Sequence, residues 1–138
     1  MDVARKALIL ARLVSYPGEL SRNEVESLVP RWAGKLPLEE FLERLDELDP
    51  VWQRRVDQAA AAGTVLRYVA VVTRRKFAVG VRRVLRTSPL AAIKGSDNQL
   101  IFTTTRYRQN PLVITGPGAG AEVTAAGVLN DILRLAGV

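Results

Sequence analysis

Residues 64–85 read TVLRYVAVVTRRKFAVGVRRVL. The first ten, Thr64 to Thr73, are rich in β-branched side chains, which suit a pleated surface. Arg74, Arg75 and Lys76 then interrupt with a polar turn. From Phe77 the apolar residues return at every second position, Phe77, Val79 and Val81, the period of a strand with one buried face. The stretch predicts a β-hairpin. It divides a chain whose earlier part has helical spacing from a later part that returns to strands.

Before the hairpin, Asp2 to about Val14 reads as a helix that is apolar nearly all round: Val3, Ala4, Ala7, Leu8, Ile9, Leu10, Ala11 and Leu13. Such a helix is expected to be buried. YPGELS, residues 16–21, breaks it. RNEVESLV, residues 22–29, reads as a short helical element ended by Pro30. In residues 36–63, Leu38, Phe41, Leu42, Leu45 and Leu48 recur at helical spacing, with Pro37 suited to a first turn. Asp49 and Pro50 then form an N-cap and first-turn pair for a further helix carrying Trp52, Val56, Ala59 and Ala60, and Gly63 can end it.

After the hairpin, SPLAAIKGSDNQ (88–99) reads as a loop, LIFTTTRY (100–107) as a third strand and LVIT (112–115) as a fourth. Ala121 to Leu135 is the last helix. Helices, then antiparallel strands, then one helix give an α+β class with a mainly antiparallel sheet of about four strands. The 138 residues suffice for one domain, 1–138, with a core of its own.

Composition narrows the chemistry. The chain has no cysteine and no histidine, so disulfides and thiol chemistry are excluded and the commonest general base and metal ligand are missing. No metal site is expected. Acid–base work falls to Lys, Asp, Glu or Tyr. No apolar run has membrane-spanning length and the N-terminus lacks a signal-peptide pattern, so a cytoplasmic protein without a membrane partner is expected. The formal charge is +6, carried by Arg54–Arg55, Arg74–Arg75–Lys76, Arg82–Arg83 and Arg86. These are spread over several elements, which favours solubility over a nucleic-acid face.

Two local patterns carry candidate chemistry. Gly116, Gly118 and Gly120 lie between a strand and a helix, where free N–H groups attract anions. The dinucleotide fingerprint is only partly met: GAGAEV has Val123 in place of the third glycine, and no acidic residue follows at the usual distance. By spacing alone, a structural turn and a phosphate cradle both stand. Asp2 and Lys6 share a face of the first helix. The bland reading is an exposed ion pair worth roughly 0.3–0.5 kcal/mol. The sharper one places Lys6 at the core margin, partly desolvated and able to shuttle a proton.

DVARKALILAR near the start, VLRYVAVV with VGVRRV, SPLAAIKGSDNQLIFTTTRY and NPLVITGPGAGAEVTAAGVLNDILRL together resemble the C-terminal, substrate-binding part of homoserine dehydrogenase, in the version fused behind aspartokinase. The resemblance covers almost the whole chain and is weakest between Tyr16 and Leu36. It implies an NADP- or NAD-dependent interconversion of aspartate semialdehyde and homoserine, on the way to threonine, methionine and isoleucine. It implies that Lys6 passes the proton, that Asp2 binds homoserine, and that Gly118 and Gly120 come close to the cofactor. The nucleotide is then held mainly by an upstream Rossmann domain, so the chain alone is expected to be inactive. Association through the sheet, commonly as a dimer, is implied as well. A fold-retaining domain without catalysis and a small basic nucleic-acid-binding module are the rival readings. Asp2 and Lys6 weigh against the first, and the lack of a recognisable aromatic motif on the strands against the second.

Overall fold

The hairpin frames the first half of the protein. β1 (Thr64–Val72) and β2 (Phe77–Leu85) pair antiparallel throughout, with Thr64 opposite Leu85 and Val72 opposite Phe77. The connecting turn is held by Thr73, whose Oγ1 accepts from the N–H groups of Arg75 and Lys76 at 3.2 and 2.9 Å. The computed structural model describes residues 2–20 and 25–137. These fall into two units, Met1–Arg86 and Thr87–Val138. The expected four strands are all present and each named pair is antiparallel, but they form two two-stranded sheets, one in each unit. Among the described residues no helix is long and apolar enough to cross a membrane.

In the first unit, α1 (Asp2–Leu13) lies on one face of the hairpin. Ala4, Ala7 and Ala11 are buried there together with Phe77 and Val79. The spacing i, i+3, i+7 puts the three alanines on one stripe. Their small side chains let the helix backbone approach the sheet closely. The expectation that α1 is buried all round does not hold: Val3, Ile9 and Leu13 are exposed. In this unit α1 meets a two-stranded sheet on one side, so only one face is covered. Tyr16, just beyond the helix, stacks on Phe77 with ring centroids 5.8 Å apart.

Residues 22–24 of the expected second helix lie outside the described residues. The part that follows is not helical. Val25 forms a parallel bridge with Val79, and the Glu26 N–H donates to the Val79 carbonyl at 2.8 Å. The Glu26 carboxylate then accepts from the Val81 N–H at 2.9 Å. A side chain thus extends the ladder where the backbone turns away. V-E-S-L-V has the right residues for a strand edge, and the unpaired Val79 carbonyl and Val81 N–H of β2 decide for extension. Glu26 Oε1 also meets Arg55 at 3.4 Å, and Oε2 lies 4.0 Å from Arg82. Gly80 makes room for this: a Cβ there would strike the Glu26 side chain.

α2 (Leu38–Glu43) leads through a 3-10 turn, Leu45–Leu48, into α3 (Asp49–Ala61). Pro37 stands at the N-cap of α2 rather than in its first turn, and Leu48 rather than Asp49 precedes α3. Arg44 bonds Glu47 at 2.7 Å and lies 4.4 Å over the Trp32 ring; its hydrogen bond holds the Glu47 carboxyl below the usual range. Ala59 of α3 is buried, and Thr64 Oγ1 donates to its carbonyl at 2.9 Å, tying the helix end to β1. Gly63, at a φ of +66°, makes the turn between them.

In the second unit, β3 (Asp97–Phe102) pairs with β4 (Leu112–Pro117), Asp97 opposite Pro117 and Phe102 opposite Leu112. β3 starts at Asp97, earlier than expected, because Asp97, Asn98 and Gln99 find ladder partners in Pro117, Gly116 and Thr115. α4 (Ala121–Ala136) follows and ends on Gly137, at a φ of +77°. Its side chains, Val128, Leu129, Ile132 and Leu135 included, are exposed.

Tyr68 ties strand to edge, its hydroxyl donating to the Glu26 carbonyl at 2.7 Å. Burial, and then the Glu26 carboxylate, push its phenol above the ordinary value. A raised folded-state pKa contributes stability that is complete below the unfolded pKa of about 10 and lost as pH rises through the folded one. The melting temperature, followed by circular dichroism, is therefore expected to drop as pH rises past about 10, and less so in Tyr68→Phe. Parallel pH profiles for the two proteins would refute this role.

Candidate functional site

α1 positions the first pair. Asp2 and Lys6 are one turn apart, and Lys6 Nζ lies 3.0 Å from Asp2 Oδ2. At about 100° per residue they point away from the Ala4–Ala7–Ala11 stripe, toward solvent. Their side chains are 77% and 60% exposed. Lys6 was expected at the margin of the core; instead the alanines take that place and leave the ion pair on the open face. An exposed pair of this kind adds little to stability. It remains available to a ligand or a further domain approaching from outside. Asp2, in the first turn, also suits the positive end of the helix dipole.

The glycine loop runs from the end of β4 into α4. Gly118 donates its N–H to the Ser96 carbonyl at 2.9 Å, and a Cβ on it would strike the Asn98 side chain. A local reason for glycine therefore exists at this position. Gly120 differs. It holds a φ of +144°, which side chains rarely adopt, and a Cβ there would meet nothing within 4 Å. It precedes α4 as its N-cap without a side-chain cap, while its carbonyl accepts from the N–H and hydroxyl of Thr124. The first-turn N–H groups of α4 thus begin at a glycine with open space around it. That fits the approach of an anionic group such as a nucleotide phosphate. Glu122 in the same turn is a countervailing charge.

Asp2 and Lys6 belong to the first unit, Gly118 and Gly120 to the second. Among the described residues no cluster of acidic side chains could hold a metal ion. Sequence reasoning missed Glu26 and Asn98. A lone carboxylate within the apolar V-E-S-L-V run was the available signal for the first, since inward charges are typical of protected edges. For Asn98 the sequence had no signal, because its neighbour Gly118 is set by strand pairing.

The sequence matches the homoserine dehydrogenase family over residues 1–133. It is 49% identical to a bifunctional aspartokinase/homoserine dehydrogenase 2 of Zea mays, described as chloroplastic, covering 98% of this chain and 15% of that protein. A Candida auris protein of unknown function superposes with a TM-score of 0.85 at 46% identity, covering 98% of this chain and 38% of that one. A putative homoserine dehydrogenase from Archaeoglobus fulgidus superposes at 0.61 with 28% identity, over 97% of this chain and 35% of that one. The chain thus spans about 15% of the length of the curated relative.

Gly120→Ala should cost roughly 1–3 kcal/mol, the usual penalty for forcing a side chain into such a backbone conformation. Gly116→Ala, where the added methyl meets open space, should change stability by no more than about 0.5 kcal/mol. Urea titration read by far-UV circular dichroism distinguishes them. Equal effects would contradict this loop geometry.

Proposed function

The chain belongs to the homoserine dehydrogenase family, and we propose that it forms the substrate side of an enzyme interconverting L-aspartate 4-semialdehyde and L-homoserine, in the synthesis of threonine, methionine and isoleucine. The observation that carries the proposal is the Asp2–Lys6 pair, 3.0 Å apart on the uncovered face of α1. Both units, residues 1–138, would serve one substrate-binding and association domain. An aspartokinase, as in the bifunctional relatives, and a Rossmann domain are the proposed upstream neighbours.

In this reading Asp2 holds the substrate ammonium. Lys6 stands at the aldehyde oxygen and donates a proton as that oxygen gains charge; in the reverse direction it takes the proton from the homoserine hydroxyl. A bound NADP or NAD supplies or removes the hydride at the adjacent carbon. Gly120 and the first N–H groups of α4 would face that nucleotide, with Gly118 shaping the loop. The exposed Val128, Leu129, Ile132 and Leu135 of α4 would close against the upstream domain. The position of the nicotinamide is a large part of the rate, so the 138 residues alone should show only background activity.

In a complete enzyme bearing this segment, Lys6→Ala should lower kcat by roughly 10²–10⁴-fold, the usual share of an acid–base group. Asp2→Ala should mainly raise KM for homoserine, because its contact exists before and during the reaction. Steady-state kinetics of homoserine oxidation, with circular dichroism as the folding control, tests both. A kcat within about threefold of the parent for Lys6→Ala would remove the proton-transfer role.

We also propose a homodimer formed through the sheet face turned away from α1. Val65, Val69 and Val71 of β1 lie on that face, half-buried or exposed, and sheet faces of this kind pair readily between copies. Val71→Lys should reduce association in sedimentation velocity. Unchanged association would place the contact elsewhere.

A further inference from the structure

The chain is basic overall, yet its acids are concentrated. Five of its fourteen carboxylates lie between Glu39 and Glu47, against one guanidinium, Arg44. The same stretch, α2 and the turn after it, is apolar on one side. Phe41 and Leu48 turn inward and are half-buried. Leu38, Leu42 and Leu45 form a second row and are 64%, 54% and 41% exposed. Leu38 and Leu42 stand one turn apart on α2, and Leu45 opens the 3-10 turn that follows, so the row continues past the helix end.

The complementary surface is on the same unit. α3 and the hairpin leave an open groove of about 400 Å³ lined by Leu28, Trp52, Val56, Leu66, Tyr68 and Val81. Arginines border it. Arg55 stacks on Trp52 at 4.4 Å, Arg67 lines the wall, and Arg83 reaches across to Gln58 of α3. Asp49 and Asp57 of α3 are the carboxylates on these elements, and Glu26 lies beside them at the β2 edge. Within one chain the leucine row does not fill the groove: the turn ending at Leu48 runs directly into α3 at Asp49, with no linker to fold back.

We propose that the acidic leucine segment, residues 38–48, docks in the arginine-bordered groove of a second copy of this chain. Each copy carries both halves, so a two-fold arrangement satisfies both at once and closes. Apolar anchors supply the contact, and opposite charge sets the pairing and makes it sensitive to salt. The contact is separate from the sheet face and does not rest on the catalytic proposal.

A charge swap tests it. One variant carries Glu39→Arg, Glu43→Arg and Asp46→Arg; the other carries Arg55→Glu and Arg83→Glu. At low salt and high micromolar concentration, each alone is expected to sediment at half the parent mass, and an equimolar mixture to regain it. The mixture pairs a reversed segment with a reversed groove and a native segment with a native groove. A parent that is monomeric, a variant that keeps the parent mass, or a mixture of folded variants that does not reassociate overturns the proposal. If either variant fails to fold by circular dichroism, the chain's lack of cysteine permits a second measurement. Single variants Leu42→Cys and Val56→Cys, mixed and oxidised in air, should give a disulfide-linked pair containing one of each. Its absence overturns the proposal equally. Val71→Lys reports on the sheet face alone, so the two associations fail independently.

Discussion

The contact between the alanine stripe of α1 and the Phe77–Val79 end of β2 is the constraint on which the first unit depends. Ala4, Ala7 and Ala11 are almost wholly buried there, together with Phe77 and Val79. A two-stranded hairpin is marginal in water unless something covers a face. α1 does so with side chains small enough to bring two backbones together, and Phe77 fills the space beside them with Tyr16 stacked on its ring. The orientation of α1 follows. Once the alanines face inward, Asp2 and Lys6 must face outward, so the candidate chemistry is placed by the core rather than by any contact of its own.

The second constraint is the edge of β2. Glu26 serves it with one backbone bond and one carboxylate bond, and the same residue meets Arg55, Arg82 and the Tyr68 hydroxyl. A single residue thereby closes an edge that would otherwise pair with other chains, and meets Arg55 beside the α3 groove. The absence of a side chain at Gly80 is what admits it. Edge protection and groove electrostatics are therefore coupled through one carboxylate.

Much apolar surface stays uncovered. The leucine row of residues 38–45, the outward face of the hairpin and α4 all present apolar side chains to solvent. Surfaces of this extent mark interaction sites. The three carry different chemistry, acidic, valine-rich and helical respectively, and so suit three different contacts. Such a distribution fits a chain whose work is done against neighbours.

Sequence periodicity alone determined the hairpin and its turn, because a period of two in β-branched residues admits few other solutions. It also determined α1, α3, α4 and the glycine that shapes the loop before α4, since these depend on neighbours in the chain. The family could be read from motifs in their order. What tertiary structure decided was everything set by contacts distant in sequence. Val25 and Glu26 are extended because the edge of β2 offered an unpaired carbonyl at Val79 and an unpaired N–H at Val81. The strands divide into two sheets, since pairing is chosen by which edges meet in space. Lys6 is exposed rather than marginal, because three alanines outcompeted the larger apolar residues for the one covered face of α1, and only packing against the hairpin could say which face that was.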